Sequence, residues 1–264
     1  MTFETLTIDG APAVRLQGAH GDSVTALLRG GQVISWIDST GAERLYCSPN
    51  SPLAGPQAVR GGVPVIFPQF SGRGPLMRHG FARTRDWAVA DSPAGAAHPM
   101  LVLRMQHAAA ETALWAHDCV CTLTVTLLPH ALDMTLQVEN TGTNSLAFQA
   151  ALHTYLEVGA VQRATLTGVL PEGGILSLEQ PIDTVFEAVP GPMALHSPAS
   201  RLALAQTGFA DVVVWNPGPQ AVLADLPAGD FARFVCVEAA AIAVPVVLEP
   251  GARWQGSQVL QALA

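Results

Sequence analysis

Two residues that can carry protons lie in strand-like segments of the chain. His153 lies in ALHTYLEV and Glu238 in RFVCVEAA. Side chains alternate along a strand, so His153 shares a face with Tyr155, while Glu238 shares a face with Phe234 and Cys236. A half-buried carboxylate has a raised pKa, which brings it toward the range of a general base. The pair could perform acid/base chemistry, although a structural histidine and a plain edge carboxylate explain the residue types equally well.

A long connection carries most of the remaining polar chemistry. Residues 57–87, QAVRGGVPVIFPQFSGRGPLMRHGFARTRDW, hold five of the thirteen arginines: Arg60, Arg73, Arg78, Arg83 and Arg85. Long Gly/Pro-rich connections inside a domain are usually functional or disordered. The aromatic content of this one favours a packed binding loop. A solvated rim of surface ion pairs is the alternative, and it fits Arg60 and Arg83 less well than the other three.

The composition excludes several classes of mechanism. All thirteen basic residues are arginine, and the absence of lysine rules out Schiff-base enzymes, pyridoxal-phosphate enzymes and P-loop NTPases. Every permanently charged cation is therefore a planar guanidinium group, which can bind a carboxylate or a phosphate through two hydrogen bonds. The net charge of −8 argues against nucleic-acid and anionic membrane partners, but two arginines can still bind a small phosphorylated molecule. No nucleophile elbow, zinc helix or dinucleotide motif is present.

The cysteines and the N-terminus predict the cellular location. The four cysteines, Cys47, Cys119, Cys121 and Cys236, lack zinc-ligand spacing and favour buried thiols in a reducing compartment. The first ten residues, MTFETLTIDG, show no signal-peptide pattern, and the longest apolar run is too short for a membrane span. We expect a cytoplasmic protein.

The elements that must position these residues are strands. Two-residue alternation recurs between Gly, Pro, Asn, Asp and Ser, whereas 24 glycines and 20 prolines leave little room for helices. Residues 119–140 read as a long hairpin with its turn at Pro129 and His130, and residues 108–116 as either a helix or a loop. Other strands are expected at 23–28, 32–37, 101–106, 146–153, 202–205, 212–215, 233–238 and 257–260. The pattern predicts an all-β antiparallel sandwich or barrel, with residues 1–264 forming one domain.

Four motifs and their order along the chain resemble those of the aldose 1-epimerase superfamily, specifically its D-hexose-6-phosphate mutarotase branch. They are RGGVPVIFPQF from Arg60, HGFAR from His79, ALHTY from Ala151 and VCVE from Val235, followed by the tail LEPGARWQGSQVL. The resemblance covers nearly the whole chain. It implies a galactose-mutarotase-like β-supersandwich of antiparallel sheets with few short helices.

The resemblance also implies a reaction, the interconversion of the α and β anomers of a hexose 6-phosphate. Glu238 would remove the proton of the C1 hydroxyl, and a protonated His153 would deliver a proton to the ring oxygen. Rotation in the open aldehyde followed by ring closure then yields the other anomer. The resemblance implies neither a metal nor a cofactor, and we expect a monomer.

Substrate contacts follow from the same resemblance. The sugar phosphate would lie on Arg60 and Arg83, while His79 and Asp211 would bind sugar hydroxyls with Gln69 close by. From its position alone, Asp211 in DVVVWNPG fits a turn or cap residue better.

Three other functions stay open at this point. The chain could epimerise unphosphorylated aldoses, or it could bind sugar phosphates without catalysis. A purely structural sandwich is the third, but it leaves the polar loop and the four motifs unexplained.

Overall fold

Short strands dominate the computed structural model, which describes residues 3–263. In chain order they are β1 (Glu4–Ile8), β2 (Ala11–Gln17), β3 (Ser23–Leu27), β4 (Val33–Ile37), β5 (Val65–Ile66), β6 (Ala88–Ala90), β7 (Met100–His107), β8 (Cys119–Leu128), β9 (Ala131–Asn140), β10 (Leu146–Leu152), β11 (Tyr155–Glu157), β12 (Thr165–Thr167), β13 (Ile175–Ser177), β14 (Ile182–Phe186), β15 (Met193–His196), β16 (Arg201–Thr207), β17 (Asp211–Asn216), β18 (Phe234–Leu248) and β19 (Arg253–Ala262). Helical structure in this range consists of 3₁₀ segments at Ala82–Thr84, Ala109–Glu111, Ala113–Trp115, Val161–Arg163, Pro171–Gly173 and Asp230–Arg233. None of these helices is long and apolar enough to span a membrane.

The strands form three antiparallel sheets. One has four strands in the order β1-β2-β3-β4. A second has the order β14-β17-β18-β10-β5, with β11 also paired to β18, and the third has nine strands in the order β13-β12-β15-β16-β19-β9-β8-β7-β6. Apolar side chains from all three sheets meet in one large core cluster. The predicted all-β antiparallel class is confirmed.

Most of the predicted elements are present, with differences at the ends. The hairpin of β8 and β9 turns at Pro129 and His130 as expected, and His130 has a φ of 58° there. β18 starts at Phe234, one residue later than predicted, and continues for fifteen residues to Leu248. Residues 108–116, ambiguous between helix and loop, form two 3₁₀ turns. Several strands were not predicted: β1, β2, β5, β6 and β12 to β15.

The arginine-rich connection is ordered and packed, as its aromatic content predicts. Phe67, Phe81 and Trp87 are buried in the main core cluster. Gly62 donates its N–H to the carbonyl of Tyr46, and a side chain there would collide with the carbonyl of Val33. The loop therefore lies against the neighbouring strands by backbone contacts that only glycine permits.

The two faces of the six-stranded sheet have different environments. Val214, Val237 and Ala239 point into the main core. The alternate positions of the same strands, including Val213 and Ala240, point to the opposite face. Strand alternation thus separates a face that anchors the sheet from a face that is free to carry polar groups.

The cysteines are largely buried, as the sequence predicts. Cys119, Cys121 and Cys236 are buried, and Cys47 is partly buried. All four are free cysteines.

One buried histidine lies away from the polar face. His107 of β7 is 1% exposed and packs against the Phe81 ring at a centroid distance of 4.4 Å. Within residues 3–263, neither of its ring nitrogens forms a hydrogen bond. Burial lowers the pKa of His107 and the nearby Arg85 adds to this, although Glu111 lies 4.0 Å from Nδ1 and opposes it together with Asp118. The folded state therefore binds fewer protons than the unfolded chain below the ordinary histidine pKa of about 6.5. The stability contributed by neutral His107 is present above that pH and is lost as the pH falls.

We expect His107→Phe to remove this pH-dependent term. Relative to the wild type, the free energy of unfolding of the variant should increase by up to about 1.4 kcal/mol for each pH unit below 6.5, the slope for one proton. Urea denaturation of both proteins between pH 7.5 and 5 measures this difference. His20→Asn on an exposed turn is the control, because its side chain lies in water before and after unfolding. A difference between His107→Phe and wild type that does not change with pH would contradict the assignment.

Candidate active site

Strand register places His153 directly opposite Glu238. The pairs Leu152 with Ala239 and Tyr155 with Cys236 fix the alignment of β10 and β11 on β18. His153 itself lies in the break between β10 and β11, and counting inward from either pair brings residue 153 opposite residue 238. Directly opposed residues on one sheet face have Cβ atoms about 4.5–5.5 Å apart, so the two side chains meet. His153 Nδ1 lies 3.4 Å from Glu238 Oε1.

The first motif of the chain lies beside the third. His153 donates its backbone N–H to the carbonyl of Pro64, and Tyr155 donates its N–H to the carbonyl of Gly62. These bonds hold the Arg60 segment alongside the two residues. As a result, the Arg60 guanidinium reaches the Tyr155 hydroxyl, to which Nη1 donates at 3.4 Å.

A cavity of about 270 Å³ opens over this face of the sheet. Its polar walls come from the sheet and from the arginine-rich connection, and its apolar walls are mainly aromatic. The lining residues are Arg60, Phe70, Ser71, Arg78, His79, Arg83, His153, Tyr155, Asp183, Val213, Trp215, Leu223 and Glu238. Four of the residues expected to act on substrate, Arg60, Arg83, His153 and Glu238, therefore converge on one cavity together with His79.

Both members of the proton-transfer pair are buried and incompletely bonded. His153 is 8% exposed and Glu238 is 1% exposed. Burial lowers the pKa of His153, and His79, Arg83 and Arg60 lower it further. Burial raises the pKa of Glu238, and the charge of Asp183 adds to this.

Two atoms of this pair lack partners. His153 Nδ1 and Glu238 Oε2 are buried without a hydrogen bond among the described residues. Buried polar atoms in folded proteins are almost always hydrogen-bonded, so unpaired ones at a cavity need a specific explanation. A sugar with several hydroxyl groups would supply the missing bonds.

His79 is held as a neutral hydrogen-bond donor. Its Nδ1 accepts the backbone N–H of Ser71 at 3.3 Å. Burial lowers the pKa of His79 to about 3, and the charges of Arg83 and Arg78 contribute. Because Nδ1 is the acceptor of a neutral ring, the single ring proton lies on Nε2. His79 also has a φ of 68°, a left-handed conformation that non-glycine residues retain mainly where the surroundings impose it.

The three arginines of the cavity differ in charge compensation. Arg60 Nε forms a 2.7 Å ion pair with Asp225. Arg83 donates from Nη2 to the carbonyl of Arg78 at 2.9 Å, its Nε is buried without a partner, and no ion pair involves it among the described residues. Arg78 is exposed at the cavity wall. Arg83 is therefore a partly buried cation whose charge is left for an anionic ligand.

Two residues expected at the sugar hydroxyls are absent from the cavity lining. Asp211 accepts the N–H groups of Ile242 at 2.9 Å and Ala243 at 2.8 Å, which ties β17 to an irregular part of β18. The Gln69 side chain donates to the carbonyl of Ser71 and accepts the N–H of Leu76, so it braces its own loop. Both side chains bond to backbone groups and lie outside the lining of this cavity, so their contact with a sugar stays a prediction.

One acidic residue of the cavity was not predicted. Asp183 of β14 lies opposite Trp215 of β17, and Trp215 lies opposite Cys236. This row across the sheet places Asp183 on the same face as Glu238. The segment EQPIDTVF shows a carboxylate within an apolar strand, which is a detectable signal, but its partner strand cannot be read from the sequence.

In residues 3–263, no group of three or more His, Cys, Asp or Glu side chains is arranged to hold a metal ion.

Comparisons with known proteins identify the family of the chain. The aldose 1-epimerase family model matches residues 12–184. A protein of Cenchrus ciliaris named "putative glucose-6-phosphate 1-epimerase" is 31% identical over 284 residues, covering 97% of this chain and 86% of that protein. A protein of Escherichia coli with the same name is 27% identical and covers 81% of this chain and 78% of its own length.

Solved structures match the fold. A crystal structure from Salmonella typhimurium titled as a "putative mutarotase" has a TM-score of 0.88 at 23% identity and covers 99% of this chain and 94% of that one. A galactose mutarotase-like protein from Clostridium acetobutylicum has a TM-score of 0.75 at 16% identity, covering 100% of this chain and 99% of that one. The expected galactose-mutarotase-like architecture is confirmed.

We expect NMR to find His79 neutral, with its proton on Nε2, throughout the range from pH 8 to 5. The lowered pKa and the Ser71 hydrogen bond both require this state. Ring ¹⁵N shifts measure it, and the His79→Asn variant identifies the resonance. A titration midpoint near 6.5, or a proton on Nδ1, would contradict the assignment.

Proposed function

Because this chain belongs to the aldose 1-epimerase family, we propose that it interconverts the α and β anomers of a hexose 6-phosphate, with glucose 6-phosphate as the reference substrate. The observation that supports the proposal most strongly is the composition of the cavity. A histidine and a glutamate face each other on the sheet, and an uncompensated arginine lines the same space. Proton transfer and anion binding are therefore available to one ligand.

Ring opening requires two proton movements. A base takes the proton of the C1 hydroxyl while an acid protonates the ring oxygen, and the bond between C1 and that oxygen breaks to give the aldehyde. After rotation about the C1–C2 bond, the hydroxyl that was formed from the ring oxygen attacks the other face of the aldehyde. It gives its proton back to the first acid, and the C1 oxygen takes its proton back from the first base. Atoms and electrons balance without a redox partner or a covalent intermediate. We assign the base to Glu238 and the acid to His153.

The pair needs to carry one proton in total. Burial disfavours a charge on either group, since it lowers the pKa of His153 and raises that of Glu238. With one shared proton, one group is always an acid and the other a base. The roles can therefore reverse when the ring closes, as a reversible anomer exchange requires.

A phosphate group would raise the pKa of His153 and, through Arg83, also that of Glu238, because Arg83 lowers both in the empty cavity. Arg83 and Arg60 both lower the pKa of His153 in the empty cavity. A phosphate dianion bound to these arginines compensates their charge, so the pKa of His153 rises when substrate is bound. The substrate anion would in this way both anchor the sugar and favour the protonated form of the general acid.

We expect His153→Asn and Glu238→Gln each to reduce the catalysed rate of α-glucose 6-phosphate mutarotation about 10²–10⁴-fold, the usual contribution of a positioned acid or base. Polarimetry or NMR of a freshly dissolved anomer measures the rate after subtraction of the uncatalysed reaction. Circular dichroism checks that each variant keeps its fold. Full activity in either folded variant would overturn the roles, whereas sugar binding without any acceleration by the wild type would favour a non-catalytic sensor.

We expect Arg83→Gln to raise the KM for glucose 6-phosphate about 10- to 100-fold, because a hydrogen bond to a charged group contributes about 1.5–3 kcal/mol. The KM for glucose should change much less. Arg85→Gln is the matched control, since Arg85 lies two residues away, pairs with Glu111 and is outside the cavity lining. Equal effects of Arg83→Gln on both sugars would instead indicate an epimerase of unphosphorylated aldoses.

A further inference from the structure

Tyr155 contacts both His153 of the proton-transfer pair and Arg60. Its ring is stacked on His153, with centroids 4.8 Å apart and an interplanar angle of 12°. Its hydroxyl accepts the Nη1–H of Arg60 at 3.4 Å. One side chain therefore contacts both the proton-transfer pair and a cation proposed to bind phosphate.

The His153 ring depends on ring contacts for its orientation. The Glu238 carboxylate lies 3.4 Å from Nδ1, but Nδ1 forms no hydrogen bond among the described residues, so the bond that orients many catalytic imidazoles is not made at that atom. The Tyr155 stack covers one face of the ring, and the edge of Trp215 meets it at 6.0 Å and 86°. Stacked and edge-to-face pairs stabilise a ring beyond its burial, by an amount that favours one orientation about 2- to 13-fold.

Tyr155 is itself held firmly enough to act as a reference point. It is 4% exposed. Its N–H bonds to the carbonyl of Gly62, and its carbonyl accepts the N–H of Tyr46. The centroid of the Phe234 ring lies 5.2 Å from that of the Tyr155 ring.

Tyr155 lines two adjoining cavities. Tyr155, Arg60 and Arg83 line the cavity that holds His153 and also line an adjoining cavity of about 270 Å³. Asp225 holds Arg60 from the other side at Nε. The Tyr155 hydroxyl and Asp225 together therefore fix the direction of the Arg60 guanidinium.

We infer that Tyr155 is a positioning residue that aligns the His153 imidazole by stacking and the Arg60 guanidinium by its hydroxyl, so that the two ends of the site keep a fixed spacing. The inference rests on the proposed function and extends it to a residue that does not itself exchange a proton with the substrate. It predicts that the two contacts of Tyr155 can be removed separately, with different kinetic results.

The test compares Tyr155→Phe with Tyr155→Leu. The Phe variant keeps the stack and loses the hydroxyl, so its main effect should be a KM for glucose 6-phosphate raised about 3- to 10-fold, with a smaller change for glucose. The Leu variant loses both contacts, so its kcat should fall at least about 10-fold for either sugar, and Phe should restore most of that loss. Similar kinetics of the two variants, or a Leu variant with kcat within 2-fold of the wild type, would overturn the inference.

Tyr46→Phe is the matched control. Tyr46 belongs to the same aromatic cluster and bonds through its hydroxyl to Asp230 at 2.8 Å, but it does not line the cavity. Losing this hydroxyl should change the free energy of unfolding without separating KM from kcat. If Tyr46→Phe gives the same kinetic pattern as Tyr155→Phe, the effect is a general loss of cluster stability and the inference fails.

A readout without turnover separates this inference from the proposed function. NMR relaxation dispersion of the His153 ring should show one rigid orientation in the wild type and in Tyr155→Phe, and exchange between orientations in Tyr155→Leu. If the wild type accelerates neither sugar, the proposed function fails while this measurement still decides the stacking role. A His153 ring that stays rigid in Tyr155→Leu would overturn that role.

Discussion

The register between β18 and its neighbours β10 and β11 is the constraint on which the rest of the site depends. It brings His153 opposite Glu238, two positions separated by 85 residues of chain. Since side chains alternate, a slip of one residue would turn Glu238 into the main core and Val237 toward the cavity. The apolar face of β18 prevents this slip, because Val237 and Ala239 are buried in the large core cluster. Hydrophobic packing on one face thereby fixes the chemistry on the other.

The charges of the cavity are arranged to leave specific groups unsatisfied. Arg60 is paired with Asp225, whereas Arg83 has no carboxylate partner among the described residues. His153 and Glu238 each retain an unpaired buried atom. Such groups destabilise an empty site, and a ligand that bonds to them is favoured accordingly. A sugar with hydroxyls at one end and a phosphate at the other has complementary groups in the required order.

Sequence reasoning predicted much of this arrangement where alternation alone was sufficient. The faces of His153, Tyr155 and Glu238 followed from their own strands, and the packed loop followed from its aromatic residues. Alternation does not reveal which strand lies beside which, so Asp183 was missed. Asp211 and Gln69 were placed by resemblance of motif, but their side chains bond to backbone groups that exist only after the strands and loops have folded.

The most direct test of the proposed acid/base pair is NMR exchange spectroscopy on equilibrated glucose 6-phosphate with the wild-type protein. We expect exchange between the α and β C1 resonances far faster than in buffer alone, with the anomer ratio unchanged because a catalyst does not shift an equilibrium. An exchange rate equal to that of the protein-free sample would contradict the assignment of His153 and Glu238 as an acid/base pair.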